Sequence, residues 1–141
     1  MDIYTDSSKL EKIRDWVATC PLLINGSINV DYLGDKIYSY SIDRTPNALE
    51  YTPFLYGGGK RQITFDFTCT FPYSTKAVDN LVNSKFGEDF EKWVYEQNVA
   101  HNLPDIDGAF KIECTTPAYI LQKSDTVAVY IIQFRFVYYE I

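Results

Sequence analysis

Gln62-Ile63-Thr64-Phe65-Asp66-Phe67-Thr68-Cys69-Thr70-Phe71 alternates without a break, apolar from Ile63 to Phe71 at every second position and polar between. Successive side chains of a strand point to opposite faces, so this stretch predicts a half-buried antiparallel strand with one dry and one wet face. Pro72 stops it. A second dry face closes the chain, where Ala128, Tyr130, Ile132, Phe134, Phe136 and Tyr138 alternate. The opposite face of that strand begins apolar with Val127, Val129 and Ile131, then turns mixed with Gln133, Arg135, Val137 and Tyr139. A strand apolar on both faces lies centrally, or is covered by helices or a partner. Before it, Phe110, Ile112 and Cys114 alternate with Lys111 and Glu113, a further strand bounded by Pro117.

Helical spacing flanks these strands. Leu10, Ile13, Trp16, Val17 and Cys20 make one apolar stripe, with Lys9, Lys12 and Arg14 off it. Ser8 followed by Glu11 is a capping-box candidate, with Thr5, Asp6 and Ser7 in competition, and Pro21 ends the helix. A second helix follows the cap candidates Ser74 and Thr75. Val78, Leu81, Val82, Phe86, Phe90, Trp93, Val94 and Gln97 trace its inner face. Glu88, Asp89, Glu91, Lys92 and Glu96 make a solvated one. Gly87 marks a break into two helices or a kink, and Asn102, Pro104 and Gly108 mark the exit.

Ile28, Val30 and Tyr32, then Tyr38, Tyr40 and Ile42, alternate on either side of Gly34-Asp35-Lys36, which predicts a hairpin. Residues 44–60 break the pattern. Pro46, Pro53 and Gly57-Gly58-Gly59 frame an apolar piece of Tyr51, Phe54, Leu55 and Tyr56. Loops this long are usually functional or disordered, and the apolar cluster argues against disorder. The segment reads as an arm or long hairpin that docks on a neighbouring subunit or folds back on its own core. The expected fold is α+β: a mainly antiparallel sheet with two helices packed on one face, plus the arm, as one domain over residues 1–141.

Twelve Tyr, nine Phe and two Trp make large flat side chains dominate the contacts, as in a Tyr-rich sheet or a protein interface. A net charge of -6 argues against a dedicated nucleic-acid binder or an anionic-membrane binder. It leaves room for a surface past which DNA slides without sticking. Cys20, Cys69 and Cys114 are odd in number and far apart, and read as buried apolar residues in a reducing compartment. Met1-Asp2-Ile3-Tyr4 lacks the basic and apolar regions of a signal peptide, and no apolar run reaches membrane-spanning length. Asn25-Gly26-Ser27 matches a glycosylation sequon but reads as a turn.

Catalytic chemistry finds little support. His101 is the single histidine, so a His and Cys zinc site lacks ligands. No G-x-S-x-G elbow or dinucleotide motif occurs. Gly57-Gly58-Gly59-Lys60 lacks the Ser/Thr and the leading spacing of a phosphate loop. His101 and Asp105 have the spacing of the H-x-x-x-D-G element of chloramphenicol acetyltransferases, but Ile106 follows Asp105 where that element has Gly. Asp105 and Asp107 read as a solvated turn. No enzyme activity, metal or cofactor is expected, with an acyltransferase as the remote alternative.

Across nearly its full length the chain resembles a family of small phage proteins encoded among tail and neck genes. The likeness is carried by Lys12-Ile13-Arg14-Asp15-Trp16, Thr19-Cys20-Pro21-Leu22-Leu23 and Ile28-Asn29-Val30-Asp31-Tyr32-Leu33-Gly34-Asp35. It continues in Tyr40-Ser41-Ile42-Asp43, Asn102-Leu103-Pro104, Asp107-Gly108 and Phe136-Val137-Tyr138-Tyr139. Some members carry a chloramphenicol-resistance label that these residues do not support. The element order also resembles the tail terminator (tail completion) proteins of long-tailed phages. That resemblance implies a virion structural protein at the head-proximal end of the tail, assembled in the bacterial cytoplasm. It implies a homo-oligomeric ring, usually a hexamer, that caps the tail tube and meets a neck or connector protein. The sheath protein is a further candidate partner, and DNA passes through the lumen without specific binding. Another connector, neck or minor capsid protein is the alternative. A ring needs a heterologous interface on each subunit. The candidate interface residues are Tyr51, Phe54, Leu55 and Tyr56 on the arm, Arg61 beside it, and Arg135 and Tyr139 on the final strand. Asp31, Asp35, Asp43 and Asp66 are candidate lumen or surface acids.

Overall fold

The computed structural model describes residues 8–24, 28–31, 33, 37–45, 51–73 and 77–140, without the side chains of 51 and 77–79. The elements run α1 (Lys9–Val17), β1 (Ile28–Val30), β2 (Ser39–Arg44), β3 (Tyr51–Pro53), β4 (Gly59–Pro72), α2 (Ala77–Val99), β5 (Ala109–Lys123) and β6 (Val127–Glu140). The sheet order is β1-β2-β4-β6-β5, with β3 paired to β4. Every pairing except that of β1 with β2 is antiparallel. The chain is therefore α+β, with both helices on one face of a mostly antiparallel sheet.

The decisive stretch is the inner half of β4. Phe65, Phe67, Cys69 and Phe71 are buried, and so is the matching row Ala128 to Tyr138 on β6. The two strands lie side by side over their whole length, from Gly59 opposite Glu140 to Pro72 opposite Val127. Phe65 stacks on Phe134 at 5.5 Å and Phe67 on Phe90 of α2 at 4.6 Å. Trp16 of α1 meets Trp93 of α2 at 4.8 Å, so the helices pack on each other as well as on the sheet. Much of the aromatic surplus is thus core. β6 lies centrally, between β4 and β5, and Val129, Ile131 and Val137 on its second face are buried too.

Ser8 caps α1, its Oγ accepting from the Glu11 N–H at 3.2 Å. The helix stops at Val17, four residues short of Pro21, so Pro21 does not set the boundary. Thr5, Asp6, Ser7, Ser74, Thr75, Val78 and the Asn25-Gly26-Ser27 turn lie outside the described residues or side chains.

Several expectations need correction. β1 and β2 do not form a hairpin; they run parallel, with Ile28 opposite Tyr40 and Val30 opposite Ile42. Alternation reports faces and carries no information about strand direction. The connection is bracketed by two left-handed residues, Asp31 (φ 55°) and Tyr38 (φ 62°). Asp31 belongs there because its Oδ1 accepts from the Arg44 N–H at 3.2 Å and its own N–H reaches Ile42 O at 3.0 Å. The turn Gly34-Asp35-Lys36 lies outside the described residues.

Pro117 does not bound β5, which continues to Lys123 through register shifts around Thr116. β5 is an edge strand, where a missing N–H is tolerated at a bulge. A shift between Ala109 and Lys111 also turns Phe110 outward, so it is exposed and not part of the inner row. α2 passes Gly87 unbroken. A Cβ there would sit 2.6 Å from the Ala118 Cβ, so the glycine serves close helix–strand approach. Leu81 and Val82 are 66% and 64% exposed, off the inner face that Asn83, Phe86, Phe90 and Val94 make. No helix among the described residues is long and apolar enough to cross a membrane.

Candidate functional site

The 44–60 segment does not form a loop throughout. Arg44 ends β2, residues 46–50 lie outside the described residues, and Tyr51 to Pro53 pair back on Arg61 to Gly59 as a hairpin. The Phe54 N–H closes its turn on Gly58 O at 3.0 Å. Gly57 (φ 98°) and Gly58 (φ 69°) take left-handed conformations that β-carbons resist, so the glycine run is turn chemistry. At the tip Leu55 is 89% exposed and Tyr56 96%. Apolar side chains clustered in water on one projecting turn are the kind of patch that marks an interaction surface.

The tip rests on an aromatic base. Phe54 stacks on Tyr139 at 5.9 Å, and Tyr139 meets Phe110 edge-on at 5.1 Å. Tyr139 follows the inward-facing Tyr138, so the base lies on the sheet face away from the helices. Charges surround it. Arg61 pairs with Glu140, and Arg135 pairs with Glu113, which also lies 3.5 Å from Lys111 Nζ. The Arg135 guanidinium holds the Glu113 carboxyl below the usual range. A small polar pocket of about 70 Å³ opens beside these groups, lined by Thr52, Lys60, Gln62 and Arg135 among others. Arg135 Nε is buried at this place without a hydrogen-bond partner. Four cations (Lys60, Arg61, Lys111, Arg135) thus face two carboxylates (Glu113, Glu140), a basic patch on a chain of net charge -6.

The structure therefore brings the candidate interface residues to one end of the sheet. Arg61 stands opposite Tyr138 and so on the helix side, while Arg135 and Tyr139 face away, so they flank the hairpin from both faces. Of Tyr51 only the backbone pairing with Arg61 is described. Sequence reasoning missed Lys60 and Phe110. The bulge that turns Phe110 outward leaves no mark in the alternation of β5.

A second surface lies at the β5 edge. Asn98 of α2 grips the strand through its carboxamide: Oδ1 accepts from the Ile112 N–H at 2.8 Å, and Nδ2 donates to Ile112 O. Glu91 Oε1 accepts from the Ala118 N–H at 3.3 Å. These side chains take the place of a neighbouring strand, a cover for an otherwise open edge. Beside them runs a groove of about 450 Å³, with Val94, Tyr95, Ile112 and Cys114 among its lining. Cys114 is half-buried, where full burial was expected; Cys20 and Cys69 are buried. Burial pushes the Cys114 thiol up to about 11, so it is protonated at neutral pH and a poor nucleophile.

The other sequence candidates stand apart. His101 is exposed, left-handed (φ 55°), and follows the end of α2; Asp105 and Asp107 are exposed. Among the described residues no three His, Cys, Asp or Glu side chains converge. Asp43 and Asp66 lie opposite each other on β2 and β4. Asp43 accepts from Ser41 Oγ at 2.6 Å and Thr68 Oγ1 at 3.2 Å. Burial, with the Asp43 charge adding to it, raises the Asp66 carboxyl. Asp31 is exposed, and Asp35 lies outside the described residues. In comparisons with known proteins, no family model and no curated protein matches the chain.

Proposed function

We propose that the chain is a structural subunit of a phage virion, a tail terminator that assembles as a ring on the tail tube and joins it to the head or neck. The observation that carries this reading is the hairpin tip: Leu55 and Tyr56 stand in solvent on a turn fixed by Gly57 and Gly58 and seated on Phe54, Tyr139 and Phe110. A pre-ordered apolar knob loses little conformational entropy on docking, which favours a protein partner as its destination. The resemblance of the sequence to small phage tail and neck proteins supplies the class of assembly, a homo-oligomer, hexameric on that analogy. Half-buried Asp43 and Asp66 on the face away from the helices fit a surface that repels DNA. Native mass measurement and negative-stain imaging of the purified chain, alone and with tail tubes, test the proposal. Rings seated at one tube end are the expected outcome. A chain that stays monomeric at every concentration and never decorates a tube would exclude it.

A further inference from the structure

The knob and the groove are separate patches that meet at the β5 edge, where Lys111 and Glu113 border both. The knob sits on the outward-facing Tyr139, while α2, one wall of the groove, packs on the helix side. In-register pairing of β3 with β4 holds the tip where it is, so it does not fill its own molecule's groove. The two surfaces also differ in charge. The knob's base carries Lys60, Arg61 and Arg135 against Glu113 and Glu140, whereas α2 carries Glu91 into the groove and Glu88, Asp89 and Glu96 farther round the helix, against Lys85 and Lys92; Lys111 and Glu113 line the groove on its β5 side. The hairpin base is net positive and the α2 surface net negative, so the two attract.

We infer that the hairpin tip of one copy docks into the α2–β5 groove of a second copy. This inference rests on the ring reading and names its interface. Leu55 and Tyr56 enter beside Val94, Tyr95 and Cys114, and Lys60 faces the carboxylates of α2. A groove of about 450 Å³ is of the size that takes such side chains. A contact between two different patches is heterologous, so it repeats head to tail and closes into a ring when the rotation per copy permits.

Cross-linking decides the matter, in a Cys114→Ser background that removes the native thiol of the groove. Tyr56→Cys and Tyr95→Cys are placed together in one chain, and separately in two chains that are then mixed. Both positions are exposed, so the fold tolerates the changes. Mild oxidation gives a covalent ladder from the double variant and only dimers from the mixture. Leu55→Asp and Lys60→Glu each weaken self-association by about tenfold or more. Oligomers that form without a Tyr56–Tyr95 cross-link overturn this docking and leave the ring reading standing. Cross-linked dimers from Tyr56→Cys alone overturn it too, in favour of a symmetric tip-to-tip contact. A chain monomeric under all conditions, tail tubes included, removes both.

Discussion

Gly108 joins the exit of α2 to the end of β6. Its φ is 78°, and a Cβ there would lie 1.9 Å from the Tyr139 carbonyl oxygen. Its own carbonyl accepts from the Tyr139 N–H at 2.8 Å. Gly108→Ala should therefore cost about 3 kcal/mol, read as a lower urea midpoint with an unchanged slope. Tyr40 sets a second residue-scale outcome. It is fully buried, accepts from the Ile24 N–H at 3.3 Å, and burial pushes its hydroxyl up to about 12 from 10.0. The folded value is the higher one, so the folded chain keeps a proton that the unfolded chain loses above pH 10. Stability is full below that point and falls by roughly 1.4 kcal/mol per unit as pH rises toward 12. Cys69, also driven up by burial, makes the fall begin near its ordinary value of 9.0. Denaturation midpoints at pH 8 and pH 11 should differ accordingly, and Tyr40→Phe should narrow the gap. Asp66 is shifted in the same direction, but its pH range lies lower, so its cost is already present at neutral pH. Its raised carboxyl means that the charged form is disfavoured by folding, so Asp66→Asn should raise Tm by roughly 2 °C.

Asn98 makes two of the side-chain hydrogen bonds by which α2 covers the β5 edge, and Glu91 makes a third. Asn98→Ala removes the partner of both the N–H and the C=O of Ile112 and should cost about 2–3 kcal/mol. Hydrogen exchange at the Ile112 amide should quicken by more than the average for the sheet. If that amide stays protected to the same degree, α2 is not the cover. At this scale the readable and unreadable parts of the sequence separate cleanly. The rows of β4 and β6 were legible because each faces a dry layer on one side and repeats every second residue without interruption. Ser8 was legible because a cap is a local device. The direction of β1 against β2 was not, since pairing direction is decided by the path of the connection and not by the pattern of either strand. Phe110 and Pro117 were misread because bulges move a side chain across the sheet and no residue type announces them. Leu81 and Val82 fitted the helical stripe but stand in solvent, because the face turned to the sheet at that end is the one carrying Asn83, which is buried and donates to Pro72 O at 2.7 Å. For the candidate surface, the aromatic arm was visible as an apolar island between turn residues. The groove was not, since it is formed by two elements with β5 arriving only after α2 has ended.

At the scale of the whole molecule, the basic hairpin base and the acidic outer wall of α2 predict self-association that salt weakens. Raising ionic strength from 0.05 M to 0.5 M shortens the screening length from about 14 Å to about 4 Å. The association constant, measured by sedimentation, should fall over that range, and Lys60→Glu should flatten the dependence. An assembly that tightens with salt would instead mark the apolar tip as dominant. The long side-by-side run of β4 and β6 has a mechanical corollary. The protruding turn is the direct continuation of β4, and β4 is bonded to β6 from one end to the other. Tension applied through the turn along the strand axis is shared by all those bonds at once, as in a lap joint, and is not concentrated on one bond after another, as in a zip. The same strand pair that seals the interior would then anchor whatever grips the tip.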